Sequence, residues 1–322
     1  MKVAIIGSGA YGSALGKMFL KNTSNVVMWT AFEDEAEELR RGICKKLEGE
    51  ILPRFMVETS LEKAVTGASL IVIALPAFCV EDVFKKFYHL INSNQHILIA
   101  TKGIENESCL FIKDIILKYL NTDKLAVISG PSFAIDIVRD APVGLSLASH
   151  NEETIKLVKT LLEGDTFKLR ETDDIIGIEI CGAIKNVIAI AAGIISGMGY
   201  PESTQAMFIT ESLHDIKNLI KSFGGSKDSI LSFAGFGDLL LTATSKKSRN
   251  FNFGFLLGSG SLNMSASEYE KKTTVEGLNT LRSMRKLLSE RKEEMPIIDL
   301  IHEIIYEGKE PEALILYLIN KS

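Results

Sequence analysis

The chain has 322 residues, 46% of them hydrophobic and 24% charged, which excludes a mainly disordered state and leaves room for about two domains. Its 36 basic and 41 acidic side chains leave a formal charge of −5. That argues against a nucleic-acid surface, because phosphate contacts need clustered Lys and Arg.

The first half alternates short apolar strands with helical patterns. Strands are predicted at Val3–Ile6, Val26–Trp29, Leu70–Leu75, Ile97–Ala100, Ala126–Ile128, Val143–Ala148 and Phe167–Leu169. Amphipathic stretches such as Ser13–Lys21 and Glu81–Ile91 lie between them. Near-continuous apolar strands alternating with helices imply a parallel sheet covered on both faces, an α/β Rossmann-type doubly wound fold. From about Asp173 the pattern turns helical, at Ile175–Ile195, Ser203–Phe223, Leu278–Leu288 and Ile297–Ile305. The predicted domains are therefore a dinucleotide-binding domain over 1–172 and an all-helical substrate and catalytic domain over 173–322.

No apolar run reaches 18 unbroken residues. Leu70–Val80 contains Pro76, and Val187–Met198 is short and contains Gly193, so no membrane span is expected. The N-terminal apolar run meets glycines at once and reads as a strand, not a leader. The four cysteines form no C-x-x-C pair. They point to a reducing, cytoplasmic setting. The five histidines show no metal-ligand spacing, and no metal site is expected.

Gly7-Ser8-Gly9-Ala10-Tyr11-Gly12 fits G-x-G-x-x-G, directly after a strand and at the opening of a helix. Gly7 allows the tight turn, Gly9 lets a pyrophosphate approach the backbone, and Gly12 permits close helix–sheet packing. The acidic residue that contacts a ribose is expected about 20 residues on. Glu33 lies near that place but slightly late, where it also suits the start of a helix. No arginine stands there to hold a 2′-phosphate, so the cofactor is expected to be NAD or NADP, with NAD favoured.

Thr101-Lys102-Gly103 follows the fourth predicted strand, at the end where such sheets bind ligands. Ser129-Gly130-Pro131-Ser132-Phe133-Ala134 follows the fifth and offers turn chemistry with an N-cap at Ser132. Lys185 interrupts an otherwise apolar helix between small residues. A buried cation needs a partner, and Asn186 and Glu179 lie nearby in sequence. Gly235-Phe236-Gly237-Asp238 places a carboxylate after two glycines. Ser248-Arg249-Asn250 precedes the Phe251–Leu257 run and joins a helix start to a guanidinium, which suits a phosphate.

Taken in order, GSGAYGSALG, ATKGIE, SGPSFA, GIEICGAIKNVIAIAAGI, GFGDLLLTATSKKSRNFNFG, VEG and EMPI cover nearly the whole chain. In these segments the sequence resembles the bacterial-type NAD(P)-dependent glycerol-3-phosphate dehydrogenase family. The resemblance implies a Rossmann-type domain followed by a helical domain like that of 6-phosphogluconate dehydrogenase. It implies interconversion of dihydroxyacetone phosphate and sn-glycerol 3-phosphate by hydride transfer, supplying the glycerophospholipid precursor. It implies catalytic roles for Lys185, as acid/base, and Asp238. It implies substrate contacts by Lys102, Gly130, Ser132, Lys185, Asp238, Ser248, Arg249 and Asn250. Cofactor contacts are implied for Gly7, Gly9, Ala10, Tyr11, Gly12, Lys102, Ala134, Arg249, Thr274 and Glu276.

Three positions depart from the family pattern. The second strand ends Trp29-Thr30-Ala31 where the family often has Trp-x-Arg. Thr274-Val275-Glu276-Gly277 stands for VAEG, and Asp136 for a Glu. Two other readings compete: a related dehydrogenase of hydroxy acids, which needs no phosphate grip, and a non-catalytic NADH sensor, which needs no isolated Lys185. The expected partner is a small-molecule substrate, and the apolar second half offers a surface for a homodimer.

Overall fold

The computed structural model describes residues 1–47 and 49–321. Two compact units emerge: Met1–Lys102 with Phe111–Ile175, and Ile176–Ser322 with Gly103–Leu110.

The first unit is built on eight strands: β1 (Val3–Ile6), β2 (Val26–Trp29), β3 (Met56–Glu58), β4 (Leu70–Ile73), β5 (His96–Ile99), β6 (Leu125–Ser129), β7 (Val143–Ala148) and β8 (Phe167–Thr172). Its helices are α1 (Ala10–Phe19), α2 (Glu33–Arg40), α3 (Leu61–Val65), α4 (Val80–Phe84), α5 (Ile112–Tyr119), α6 (Ala134–Val138) and α7 (Glu152–Leu162). The strand order is β3-β2-β1-β4-β5-β6-β7-β8. The chain leaves β1 for one side of the sheet and returns to the other at β4, so the reversal point lies between these two. Ligands of open α/β sheets bind outside the strand ends at such a point.

The central strands read as unbroken apolar runs because both faces are covered: every residue of β1, β2 and β4 is buried. Edge strand β8 instead alternates buried Phe167 and Leu169 with exposed Lys168 and Arg170. Val3, Ile5, Leu15, Phe19, Met28, Leu70, Val72 and Leu98 share one core. Burying a side chain such as Phe19 contributes about 1.5–3 kcal/mol.

Two features correct the predicted parallel sheet. Strand β3 was absent from the sequence reading, being three residues long with Met56 exposed. Strand β7 runs antiparallel to β6, and β8 follows β7 in parallel. The link from β6 to β7 carries only the five-residue α6, about 7.5 Å of helix. Joining strands at one end of the sheet asks less reach of it than crossing back along the strands.

The second unit contains α8 (Ile175–Gly197, whose first residue falls in the first unit), α9 (Glu202–Ser222), α10 (Asp238–Thr244), α11 (Arg249–Gly258), α12 (Ala266–Lys272), α13 (Glu276–Arg291), α14 (Pro296–Tyr306) and α15 (Ala313–Asn320). Apart from Glu179, Lys185, Asn186 and Ser196, helix α8 is apolar around its circumference, the mark of a helix buried on every side. By length and composition alone it is able to cross a membrane, but 94% of its most apolar window is buried within the protein.

Helices α8 and α11 meet backbone to backbone. A Cβ on Gly193 would lie 2.1 Å from the Phe251 carbonyl oxygen, and one on Gly254 would lie 1.9 Å from that of Ile190. Any side chain there forces the helices apart. The short loop Gly103–Leu110 is tied into this unit by Lys286, whose Nζ donates to the Glu107 carbonyl at 3.1 Å.

Candidate functional site

In the first unit the glycine turn joins β1 to α1. The Gly7 N–H donates to the Trp29 carbonyl at 3.1 Å. Gly7 holds φ at +129°, and a Cβ there would sit 2.4 Å from the Ala74 carbonyl oxygen of the strand beside it. Only glycine meets both demands. Gly12 returns over the turn, with no room for a Cβ against the Gly7 carbonyl. Gly9 is different: it is the N-cap of α1, and nothing lies within 4 Å of where its Cβ would be.

No side chain caps α1, so the first-turn N–H groups of Ala10, Tyr11 and Gly12 face outward without an intrahelical acceptor. Open backbone at Gly9 beside an uncapped helix start fits a dinucleotide pyrophosphate.

Beside this turn, at the ends of β5 and β6, four expected residues come together. Lys102 donates to the Gly130 carbonyl at 3.1 Å and lies 5.6 Å from the centre of the Tyr11 ring. The Ser132 hydroxyl donates to the same carbonyl at 3.1 Å, and its oxygen is 3.3 Å from the Tyr11 hydroxyl. Ala134 opens α6, directly after this turn.

The acidic residue near the glycine turn is not the expected one. Glu33 lies in an exposed ion pair with Arg40 at 2.6 Å. Glu35, two residues on, accepts hydrogen bonds from the Ser8 hydroxyl and, at 2.9 Å, from the Thr30 hydroxyl. Burial pushes the Glu35 carboxyl up, but the two hydroxyls and nearby Lys46 outweigh it and hold it below its ordinary value. Thr30 opens the loop after β2, and about half a turn of α2 separates Glu33 from Glu35. The sequence offsets alone do not reveal which of the two swings back to Ser8.

In the second unit, Lys185 projects from the middle of α8 with its side chain 10% exposed. Its Nζ donates to Asp238 Oδ1 at 2.8 Å and to Thr242 Oγ1 at 2.9 Å. Asp238 and Thr242 stand one turn apart on α10, and the Thr242 hydroxyl donates to the Asp238 carbonyl at 2.6 Å. The wide turn Phe233–Gly237 runs directly into α10 and sets Asp238 at its first position. A buried ammonium survives only with such partners. Thr242 was not among the expected site residues, although its spacing of four from Asp238 was available.

A second polar chain starts at the next residue. Asn250 Nδ2 donates to Asn186 Oδ1 at 3.0 Å, and the Gly277 N–H donates to Asn250 Oδ1 at 2.9 Å. Asn186 Nδ2 reaches Glu276 Oε2 at 3.4 Å. Thus α8, the start of α11 and the start of α13 are cross-bonded beside Lys185, and Asn250 acts as an internal strut. Ser248 is the N-cap of α11, accepting the Phe251 N–H at 3.2 Å. Arg249 and Thr274 are exposed. Asn186 was noted in the sequence only as a neighbour of Lys185; its bond to Asn250, 64 residues away, has no local signature.

The N-terminal family model for NAD-dependent glycerol-3-phosphate dehydrogenase matches residues 2–155. The C-terminal model of the same enzyme matches residues 174–316. Among curated relatives, glycerol-3-phosphate dehydrogenase [NAD(P)+] of Leptospira biflexa is 34% identical over 328 residues, covering 100% of this chain and 98% of the relative. That of Thermoanaerobacter sp. is 32% identical over 323 residues, covering 100% and 97%. The crystal structure of glycerol-3-phosphate dehydrogenase from Coxiella burnetii superimposes with a TM-score of 0.93 at 30% identity, covering 99% of both chains. D-mandelate dehydrogenase shares the fold alone, at a TM-score of 0.65 and 14% identity over 98% of this chain and 99% of that one. Spanned by both halves of the model and matched along its whole length by these relatives, the chain belongs to the NAD-dependent glycerol-3-phosphate dehydrogenase family.

Proposed function

We propose that this chain interconverts dihydroxyacetone phosphate and sn-glycerol 3-phosphate, with Lys185 as its acid/base. The activity follows from the family, whose full-length relatives are glycerol-3-phosphate dehydrogenases using NAD or NADP. The observation that carries the residue assignment is the buried Lys185 ammonium, held by Asp238 and Thr242 in an otherwise apolar helix.

Gly7, Gly9 and Gly12 shape the pyrophosphate turn, and the N–H groups of Ala10 and Tyr11 donate to it. Lys102, Ala134, Arg249, Thr274 and Glu276 complete the cofactor contacts. Bound NADH or NADPH supplies the hydride that reduces the substrate carbonyl.

As that carbonyl carbon gains hydride, negative charge grows on its oxygen. Lys185 stabilises the charge and gives the oxygen a proton, then takes one back from water. Such acid catalysis contributes about 10²–10⁴-fold. In the reverse direction the neutral amine takes the hydroxyl proton. Asp238 and Thr242 fix the rotamer of Lys185, so that the ammonium is aimed before substrate arrives.

The substrate phosphate is assigned to Arg249 and the start of α11, where an exposed arginine stands at the first helical position. Ser248 and Asn250, though engaged internally, each retain one donor for the substrate, and Lys102, Gly130 and Ser132 supply the other polar contacts. The carbonyls and turns that hold these groups are already in place.

Mixing the protein with dihydroxyacetone phosphate and following loss of NADH absorbance, then NADPH absorbance, tests the reading. Oxidation that depends on the substrate supports it. Binding of NADH without oxidation by dihydroxyacetone phosphate contradicts it and favours the sensor.

The finer setting is proposed on two supports. All four cysteines are free thiols, which suits a cytoplasmic location. Leu231, Phe236 and Leu240 are exposed apolar residues around α10, and a second copy covering them would make a homodimer. Sedimentation at micromolar concentration tests the dimer, and a monomer there contradicts it.

A further inference from the structure

We propose that Glu35 is the residue that makes this chain prefer NAD over NADP, by accepting the adenosine ribose hydroxyls and rejecting a 2′-phosphate. The inference rests on the cofactor reading above and carries it to a particular side chain.

Three observations support it. First, the Glu35 carboxylate is fixed at the glycine turn. Ser8 is the residue between Gly7 and Gly9, and its hydroxyl donates to Glu35 together with that of Thr30. A carboxylate bonded to the loop that cradles a pyrophosphate stands one ribose away from it, where a dinucleotide-binding fold places its acid.

Second, the nearby cations are already engaged by acids or carbonyls. Lys46 lies 3.4 Å from Glu35 itself, and Lys45 is 2.5 Å from Glu38. Arg40 is paired with Glu33, and the Arg41 Nε donates to the Glu37 carbonyl at 3.3 Å. Asp34, Glu35 and Glu38 therefore stand against Lys45 and Lys46 around one cleft. A 2′-phosphate entering there meets a carboxylate at contact distance, a like-charge pair that costs affinity.

Third, a cleft opens beside the carboxylate with both polar and apolar lining. Ser8, Glu35, Leu39, Ile43, Cys44 and Lys46 line a space of about 140 Å³. Ser8 brings the glycine turn into its lining, and Leu39 and Ile43 add apolar surface. Ser8 and Thr30 both donate to Oε2, and the remaining lone pairs of the ionised carboxyl accept hydroxyl hydrogens, which a ribose diol supplies and a phosphate dianion does not.

Equilibrium binding of NADH and NADPH, followed by cofactor fluorescence without substrate, tests this apart from turnover. The wild type is expected to bind NADH at least about tenfold tighter than NADPH. Glu35→Gln, which keeps the size of the side chain and one acceptor oxygen but removes the charge, is expected to tighten NADPH about tenfold and weaken NADH about threefold. Ser8→Ala, which frees the carboxylate, is expected to reduce the preference in the same direction with an unchanged melting temperature.

Equal wild-type affinities, or a Glu35→Gln change that moves both cofactors alike, would overturn the inference while leaving the dehydrogenase reading intact. A loss of NADPH binding in Lys46→Ala, with NADH unaffected, would also overturn it, by showing that Lys46 grips the 2′-phosphate. Failure of the wild type to bind either dinucleotide would defeat both this inference and the functional reading beneath it.

Discussion

In the N-terminal unit the polar groups of the candidate site hang on loops beyond the strand ends, and much of the surface is backbone. In the C-terminal unit they project from helices and are bonded mainly side chain to side chain. Gly9 has empty space above it and α1 has no side-chain cap. Lys185, by contrast, is buried and already holds two partners. The contrast suits two of the proposed tasks, receiving the cofactor pyrophosphate and aiming the proton donor. A cofactor that must enter and leave is best met by open donors, and a proton donor is best aimed by fixed neighbours.

The sharpest way to break this contrast is Lys185→Met, which keeps the aliphatic stem and removes the proton. Turnover is expected to fall by about two to four orders of magnitude. Steady-state NADH oxidation with dihydroxyacetone phosphate measures it, and near-normal turnover would remove Lys185 from the mechanism.

Asp238→Ala comes next. It removes the carboxylate from a buried ammonium that Thr242 also holds, and breaking such a pair costs about 3–5 kcal/mol. Denaturant unfolding should place the loss near the lower end, because Thr242 still accepts. A loss under about 1 kcal/mol would mean that water already relieves the charge.

Arg249→Ala acts on an exposed group and so should spare stability. A charge-assisted hydrogen bond to phosphate is worth about 1.5–3 kcal/mol. The KM for dihydroxyacetone phosphate should rise at least about tenfold, with kcat less affected. An unchanged KM would favour the rival reading of a dehydrogenase that needs no phosphate grip.

Ser132→Ala is the mildest. Its hydroxyl contributes a neutral hydrogen bond to Gly130, about 1 kcal/mol, so affinity for ligands of the first unit should change by about fivefold or less. A larger effect would show that the loops of the first unit are as tightly coupled as the helices of the second.

Much of this was legible in the sequence, and the reasons differ by element. The glycine turn was readable because its parts are adjacent in the chain. Lys185 was readable because one charge in an apolar helix has few structural explanations. The Asp238–Thr242 spacing of four was available and went unused. Glu35 was missed because offsets in sequence do not tell which carboxylate a helix start turns back toward the loop. The direction of β7 was not readable, since an apolar run carries no sign of which way its neighbour runs. β3 was too short to show a period. The strut from Asn186 through Asn250 to Gly277 joins residues up to 91 positions apart, and only the folded chain brings them together. The α8–α11 crossing lies between these cases. Its glycines are visible as letters, but their purpose emerges only when a Cβ is seen to meet the opposite backbone.

The claim beneath all of this is that cofactor binding and proton transfer are held by separate sets of residues. Equilibrium NADH binding to Lys185→Met, titrated beside the wild type, tests it most directly. The account predicts dissociation constants within about threefold of each other, alongside the collapse in turnover. Loss of NADH binding in step with turnover, in a variant that remains folded, would contradict it.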